Sequence, residues 1–172
     1  MTTIARPDRT QCAEYYFTYI DKVPGTDPLA VLDAQLADAV ALYESIDEWR
    51  SMHRYAEGKW SLREVLSHIN DTERLFVFRA FWFARGLEAA LPSFDQDVAV
   101  KGAGADARTW RSHIDEFRAI RAATLSFFKS LTADAWSRTG TASGNPFSVG
   151  ALAYITAGHV AHHSQLIRER YL

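Results

Sequence analysis

Four long segments of this chain space their apolar residues at the period of an α-helix, and the rest of the sequence shows no convincing strand pattern. The first segment begins at Pro28 and keeps its period to about Ile46. The predicted helices span residues 28–46, 61–85, 106 or 109 to 131, and 148–171. Amphipathic helices must bury their apolar faces against one another, so the pattern predicts an all-α domain built as a four-helix bundle.

Capping residues mark where three of these helices begin. Asp27 stands before Pro28, which fits an N-cap followed by a proline in the first turn, where its missing N–H costs nothing. Ser61 and Glu64 have the spacing of a capping box, in which each side chain satisfies a backbone N–H of the first turn. Ser148 is placed to cap the last helix.

The connections between the helices are long. Residues 47–59 are predicted to be a linker with one helical turn around 48–52. Gly86–Ala107 and Thr132–Phe147 are longer, and loops of that length in a compact domain usually have a function or wrap a site. Such lengths also leave room for a crossover connection, in place of simple up-and-down order.

Length and composition fit a single domain over residues 1–172, in which residues 1–12 form a loose N-terminal arm. The chain has 172 residues, 48% of them hydrophobic, which is enough to build one core. Its formal net charge of −2 argues against a nucleic-acid partner, which would call for a basic surface. The single cysteine, Cys12, excludes an intrachain disulfide and a cysteine-rich metal site.

Membrane association is not expected either. No run of about 18 apolar residues exists that would span a bilayer. Residues 1–11 are polar and lack the apolar stretch of a signal peptide. These features predict a cytoplasmic protein.

The last helix contains three of the six histidines, at His159, His162 and His163. Residues three or four apart lie on one face of a helix, so His159 and one of the other two project side by side toward the apolar face that Leu152 and Ile155 mark. A divalent metal accepts two imidazoles in this geometry. The spacing alone does not choose between His162 and His163.

A third imidazole is available on the second helix. His68 lies on the face that Val65, Ile69 and Phe76 mark, so it also points into the bundle. Three histidines in one interior predict a metal site with an open position, which is typical of catalytic metals. The alternative is that each is a core histidine whose nitrogens are hydrogen-bonded within the protein.

Two carboxylates follow His68 closely. Asp71 lies one turn further along the helix, where it is placed to orient His68 or to approach a bound ligand. A plain salt bridge with Arg74 or Arg63 is the alternative for Asp71, and Glu73 allows the same two interpretations. Asp71 and Glu73 are therefore candidate catalytic residues, as an orienting group or a base.

The second half of the same helix is apolar nearly all round. Its aromatic residues include Phe78, Phe81 and Trp82. A helix of this kind is buried on two sides, so we expect a homodimer whose interface includes these rings.

Two sequence signatures resemble those of the DinB-like (DinB/YfiT) superfamily. The first is Gly58–Glu73, which contains Trp60 and His68, and the second is Gly158–Gln165. The resemblance extends from about Tyr15 to Tyr171 and implies a four-helix bundle, often dimeric, with a divalent metal held by three histidines. Carried over by position, these ligands are His68, His159 and His163.

One departure from the family pattern concerns catalysis. Many members have a glutamate directly after the first histidine of the last helix, where this chain has Val160. Similar members with known activities include thiol-dependent S-transferases and a mycothiol-dependent isomerase, while others are described as metal-dependent hydrolases.

The functional interpretation is a thiol-dependent S-transferase that activates a low-molecular-weight thiol at the three-histidine metal, for transfer to a small-molecule substrate. Zn²⁺ and Ni²⁺ both suit three imidazole ligands. One alternative is a metal-dependent hydrolase in which Asp71 or Glu73 serves as the base. The other is a metal-stabilised dimer that acts as a binding or sensing module without catalysis.

Overall fold

The computed structural model describes residues 4–172, and these residues contain six α-helices and one β-hairpin. The helices are α1 (Phe17–Ile20), α2 (Pro28–Glu44), α3 (Leu62–Ala84), α4 (Gln96–Ala103), α5 (Trp110–Lys129) and α6 (Val149–Arg170), and the strands are β1 (Thr139–Ala142) and β2 (Asn145–Ser148). The four long helices α2, α3, α5 and α6 are the four predicted from periodicity. The predicted all-α bundle is therefore confirmed.

The long helices do not follow one another around the bundle. α3 packs on α5 and α6, and α2 packs on the same two helices. α2 and α3 therefore occupy opposite corners, although they are consecutive in the sequence. In an up-and-down bundle consecutive helices are neighbours, so the long connection between α2 and α3 is a crossover, as expected.

The predicted caps are present. The Asp27 carboxylate accepts hydrogen bonds from the backbone N–H groups of Leu29 and Ala30. Ser61 and Glu64 form both halves of the capping box at the start of α3. Satisfying these otherwise orphaned donors fixes the first turn of α3, and hence the direction in which His68 projects two turns later.

Two connections contain structure that the sequence pattern did not predict. Gly86–Ala107 includes α4, capped by Asp95. Thr132–Phe147 runs into the antiparallel hairpin β1–β2, whose turn places Ser143 and Gly144 at positive φ. Both strands are only four residues long, too short for an alternating pattern to be read.

Residues 4–12 pack on the bundle, so the prediction of a loose arm is wrong over this range. Ile4 and Cys12 are buried in the apolar core. The Arg6 guanidinium donates hydrogen bonds to the carbonyls of Ile20 and Val23. The part of the predicted arm at residues 1–3 lies outside the described residues.

The described helices include none that is both long and apolar enough to cross a membrane.

Candidate metal centre

Three imidazoles meet between α3 and α6. The Nε2 atom of His159 lies 3.1 Å from that of His68 and 3.1 Å from that of His163. One ligand nitrogen from each of these residues lies within 4.8 Å of the other two. The structure thus brings together the three histidines that the family resemblance implies. His162 is only partly buried, and its ring packs against Tyr19 and the His163 ring without joining the group.

Hydrogen bonds alone cannot satisfy all three of the ring nitrogens that meet here. In a neutral imidazole each nitrogen carries either one proton or one lone pair. His159 Nε2 therefore donates to one neighbour or accepts from one, but it cannot pair with both His68 and His163. A cation among the three lone pairs removes this conflict. In a tetrahedral zinc site, zinc–nitrogen distances of about 2.0–2.1 Å place the ligand nitrogens about 3.3 Å apart, which is close to the separations observed.

Burial keeps all three rings uncharged at neutral pH. Desolvation lowers the pKa of His68 to about 4 and the pKa of His163 to about 3, with smaller contributions from neighbouring histidines. Desolvation also lowers the pKa of His159 far below its ordinary value, and His163 and His68 lower it further. A neutral imidazole has a nitrogen lone pair that can bind a metal, whereas a protonated nitrogen cannot coordinate one. The three rings are therefore in the state that metal binding requires.

Residues around the histidines fix their orientation. The Thr72 hydroxyl lies 3.3 Å from His68 Nδ1, one turn along α3. If the Nδ1–H donates to this hydroxyl, the lone pair of His68 is on Nε2 and faces the other two rings. The Trp60 ring packs on His68, and the Tyr19 ring packs edge-on against His159.

A glycine allows Tyr19 to come this close. A Cβ added at Gly158 would lie 2.1 Å from the backbone oxygen of Tyr19. Any larger residue at this position would push α1 away from α6. Gly158 therefore helps to keep the Tyr19 ring against His159.

Two cavities that share no lining residue reach the histidines. The first has a volume of about 180 Å³. It is lined by Tyr15, Tyr16, Tyr19, His68, Thr72, Leu75, Phe76, Arg79, Phe94, Gln96, Ser143 and His159. The second, of about 250 Å³, is lined by Tyr55, Gly58, Lys59, Trp60, Val65, Asp97, His163, Leu166 and Tyr171.

The two carboxylates singled out in the sequence lie elsewhere. Asp71 is bound to Arg74, and partial burial raises the pKa of its carboxyl group. Glu73 is buried and accepts hydrogen bonds from Arg121 through both carboxylate oxygens. Neither residue lines either cavity. Val160, at the position where many family members have glutamate, packs in the apolar core.

The sequence interpretation did not single out Arg79 or the tyrosines of the first cavity. Arg79 stands inside the apolar run Phe76–Phe83, and this isolated charge was the available signal. Tyr15, Tyr16 and Tyr19 come from the aromatic-rich segment before α2.

Comparisons with known proteins agree with this description. A family model of the DinB superfamily matches residues 31–167. None of the curated proteins compared with the chain matches it.

Solved structures share the fold at low sequence identity. YfiT from Bacillus subtilis, described as a probable metal-dependent hydrolase with an unusual four-helix bundle topology, is 16% identical, with a TM-score of 0.63 over 94% of this chain and 91% of YfiT. A mycothiol-dependent maleylpyruvate isomerase is 14% identical, with a TM-score of 0.69 over 85% of this chain. The match covers 61% of the isomerase, so this chain corresponds to only part of that protein.

Proposed function

This chain belongs to the DinB superfamily, and from that membership and the geometry of its histidines we propose that it is a metal-dependent thiol S-transferase. The observation that carries the proposal is the convergence of three buried, neutral imidazoles beside a cavity. His68, His159 and His163 would hold the metal. A divalent cation with neutral ligands supplies uncompensated positive charge, which favours the thiolate form of a bound thiol.

The two cavities support a reaction with two substrates. His68 and His159 line one cavity and His163 lines the other, so a thiol and an electrophile have separate approaches to the same three residues. The aromatic rings of Tyr16, Tyr19 and Phe76 line the first cavity and limit the water around the reacting atoms. Less water strengthens every charge interaction in the site.

Zinc and nickel are the metals we propose. Imidazole is a good ligand for both, and no thiolate or carboxylate belongs to the cluster of candidate ligands among residues 4–172. A thiol substrate also fits the reducing environment of the cytoplasm, where we place the protein.

A metal-dependent hydrolase is the second candidate, and two observations favour it. The structurally similar YfiT is described as a probable metal-dependent hydrolase. Asp97, which is exposed, lines the second cavity and offers the carboxylate that a hydrolase uses as a general base. The first cavity has no carboxylate among its lining residues. A transferase has less need of such a base because its nucleophile is already ionised, and we therefore rank it first.

Turnover assays separate these candidates. Metal-loaded and chelated protein are each mixed with glutathione, mycothiol or bacillithiol and a reactive chlorinated substrate, and separately with ester and amide substrates. We expect thioether formation by the loaded protein only, with activity unchanged in Asp97→Asn. Ester or amide hydrolysis without any thiol transfer, lost in Asp97→Asn by about 10²–10⁴-fold, would replace the transferase by the hydrolase. Metal binding without either activity would favour the binding or sensing module.

We also propose a homodimer that uses an apolar groove between α3 and α5. The groove has a volume of about 560 Å³, and its lining includes Phe78, Phe81 and Phe127. Phe78 is 47% exposed and Phe81 39% exposed in the single chain. Contiguous exposed aromatic rings commonly mark an interface, and a second copy of the chain would cover them through the same surface by two-fold symmetry.

Light scattering at micromolar concentration tests the dimer. We expect the mass of two chains for the wild type and of one chain for Phe81→Asp. Val98→Asp is the control, because Val98 is an exposed apolar residue on α4 outside the groove. A single-chain mass for the wild type would eliminate the dimer.

A further inference from the structure

Arg79 differs from the other buried arginines in having no partner of opposite charge. Arg121 pairs with Glu73 at 2.8 Å, and Arg63 pairs with Glu48. Arg79 is only 2% exposed. Within residues 4–172 it takes part in no salt bridge, that is, no carboxylate oxygen lies within 4.0 Å of its nitrogens. A buried charge without a partner is costly, so its retention calls for an explanation.

The contacts of Arg79 hold the side chain without neutralising it. Nη2 donates hydrogen bonds to the hydroxyl of Ser143, at 2.8 Å, and to the carbonyl of Pro92, at 3.3 Å. Nε is buried and has no hydrogen-bond partner. The Phe147 ring lies beside the guanidinium, 5.7 Å from ring centroid to Cζ. These contacts fix the side chain in place, but among residues 4–172 its charge has no counterion and its Nε–H has no acceptor.

Arg79 lines the same cavity as the metal-site histidines. It follows His68 by eleven residues on α3, which is about three turns, so both project from one face of the helix with their Cα atoms about 16 Å apart. His68 and His159 line the cavity together with Arg79, Tyr16 and Gln96. A ligand in this cavity would meet the candidate metal ligands and a fixed guanidinium group.

From these contacts we infer that Arg79 binds the carboxylate of a small organic acid, which is the electrophilic substrate. A guanidinium matches a carboxylate in shape and forms two parallel hydrogen bonds with it. One uncompensated positive charge balances one carboxylate, whereas a phosphate dianion would leave negative charge buried. The cavity volume of about 180 Å³ is below the roughly 300–1,000 Å³ of pockets that hold drug-sized ligands, which favours a small acid. The inference deepens the proposed function and relies on it for identifying this cavity as the reaction site.

Calorimetric titration with butyrate tests the inference, with butyramide as the uncharged counterpart of the same size and inorganic phosphate as the competing anion. The full chain is titrated both as purified and after chelation, so that binding is read independently of turnover. We expect butyrate to bind more tightly than either of the other two probes. Binding should weaken about 10–100-fold in Arg79→Gln and be partly retained in Arg79→Lys. The control is Arg111→Gln, which removes an exposed arginine on α5 outside both cavities and should bind butyrate as the wild type does.

Several outcomes would overturn the carboxylate site. These are equal binding of butyrate and butyramide, tighter binding of phosphate, no binding of butyrate, or unchanged butyrate binding in Arg79→Gln. Thermal unfolding of each variant shows whether it is folded, and if Arg79→Gln is not, Arg79→Lys decides, because it keeps the charge but loses the paired hydrogen bonds. Failure of the thiol-transfer assay together with Arg79-dependent butyrate binding would reject the transferase and leave the carboxylate site standing.

Discussion

The two faces of α3 each contain a buried arginine contact, and the two contacts have opposite characters. On one face Glu73 accepts two hydrogen bonds from Arg121, and both side chains are almost fully buried. On the other face Arg79 is equally buried but has no carboxylate partner among the described residues, and it shares its cavity with His68. A pair of matched charges holds helices together, whereas an unmatched charge remains available to a ligand.

The same distinction applies to the other hydrogen-bonding groups of the two faces. On the core face the Arg121 guanidinium also donates to the backbone oxygen of Leu32, which ties α5 to α2 as well as to α3. On the cavity face three imidazole nitrogens converge on one another, and His163 Nδ1 is buried without a partner in residues 4–172. Glu73 and Arg121 satisfy each other on the core face. We expect the other face to be functional, because its unpaired nitrogens and the Arg79 charge meet at a cavity.

Removal of a histidine should give the largest effect, on metal content. In His68→Ala we expect bound metal to fall from one ion per chain to nearly none, because two imidazoles cannot hold a divalent ion tightly. His162→Ala should keep most of the metal, since its ring lies outside the cluster. Metal analysis of the purified variants measures both. Full metal content in His68→Ala would refute the site, and equal losses in His162→Ala and His163→Ala would refute the ligand set.

Breaking the pair on the core face should instead affect stability. In Glu73→Gln we expect unfolding to become easier by about 3–5 kcal/mol, because the buried Arg121 charge loses its partner. Denaturant titration gives this value. Replacement of both residues by Met should restore much of the loss, since no charge then remains buried. Metal content should be unchanged in Glu73→Gln, and its loss there would mean that the two faces are not independent.

The hydroxyl of Thr72 should have an intermediate effect on metal affinity. It contacts His68 Nδ1, and groups that orient a metal-binding histidine typically contribute 10–100-fold to affinity. We therefore expect Thr72→Val, which keeps the shape of the side chain, to bind metal roughly 10–100-fold more weakly. Thr72→Ser retains the hydroxyl and is the matched control. Competition with a chelator of known affinity measures both variants, and equal affinity of Thr72→Val and the wild type would show that the contact does not orient His68.

Much of the scaffold was predictable because its signals are local. Helical periods and the caps at Asp27 and Ser61 depend on residues a few positions apart, and the structure contains the helices they predict. The hairpin and α4 were missed because their elements are only four and eight residues long, with little periodicity to detect.

The site was less accessible to sequence reasoning because it depends on contacts between distant segments. The spacing in the last helix indicates a shared face, and the apolar pattern points His68 into the same interior, but their meeting requires α3 to pack on α6. The choice of His163 over His162 came from the family resemblance. Arg79 was missed for the same reason. A charge in an aromatic run is visible in the sequence, whereas the absence of a partner is a property of the folded structure.

The smallest effect should come from Asp71, the candidate base one turn after His68 on α3. Asp71 is bound to Arg74 in a partly exposed salt bridge, a type of contact that contributes less than about 1 kcal/mol. Asp71→Asn should therefore leave stability, metal content and thiol transfer close to those of the wild type. Arg74→Gln removes this salt bridge, and that of Arg74 with Glu116, but retains the Asp71 carboxylate. Its turnover therefore separates loss of the ion pair from any catalytic role of Asp71. A loss of turnover of about 10²–10⁴-fold in Asp71→Asn but not in Arg74→Gln would identify Asp71 as a general base. That result would require the carboxylate to leave Arg74 and reach the cavity during the reaction, and it would favour the hydrolase over the transferase.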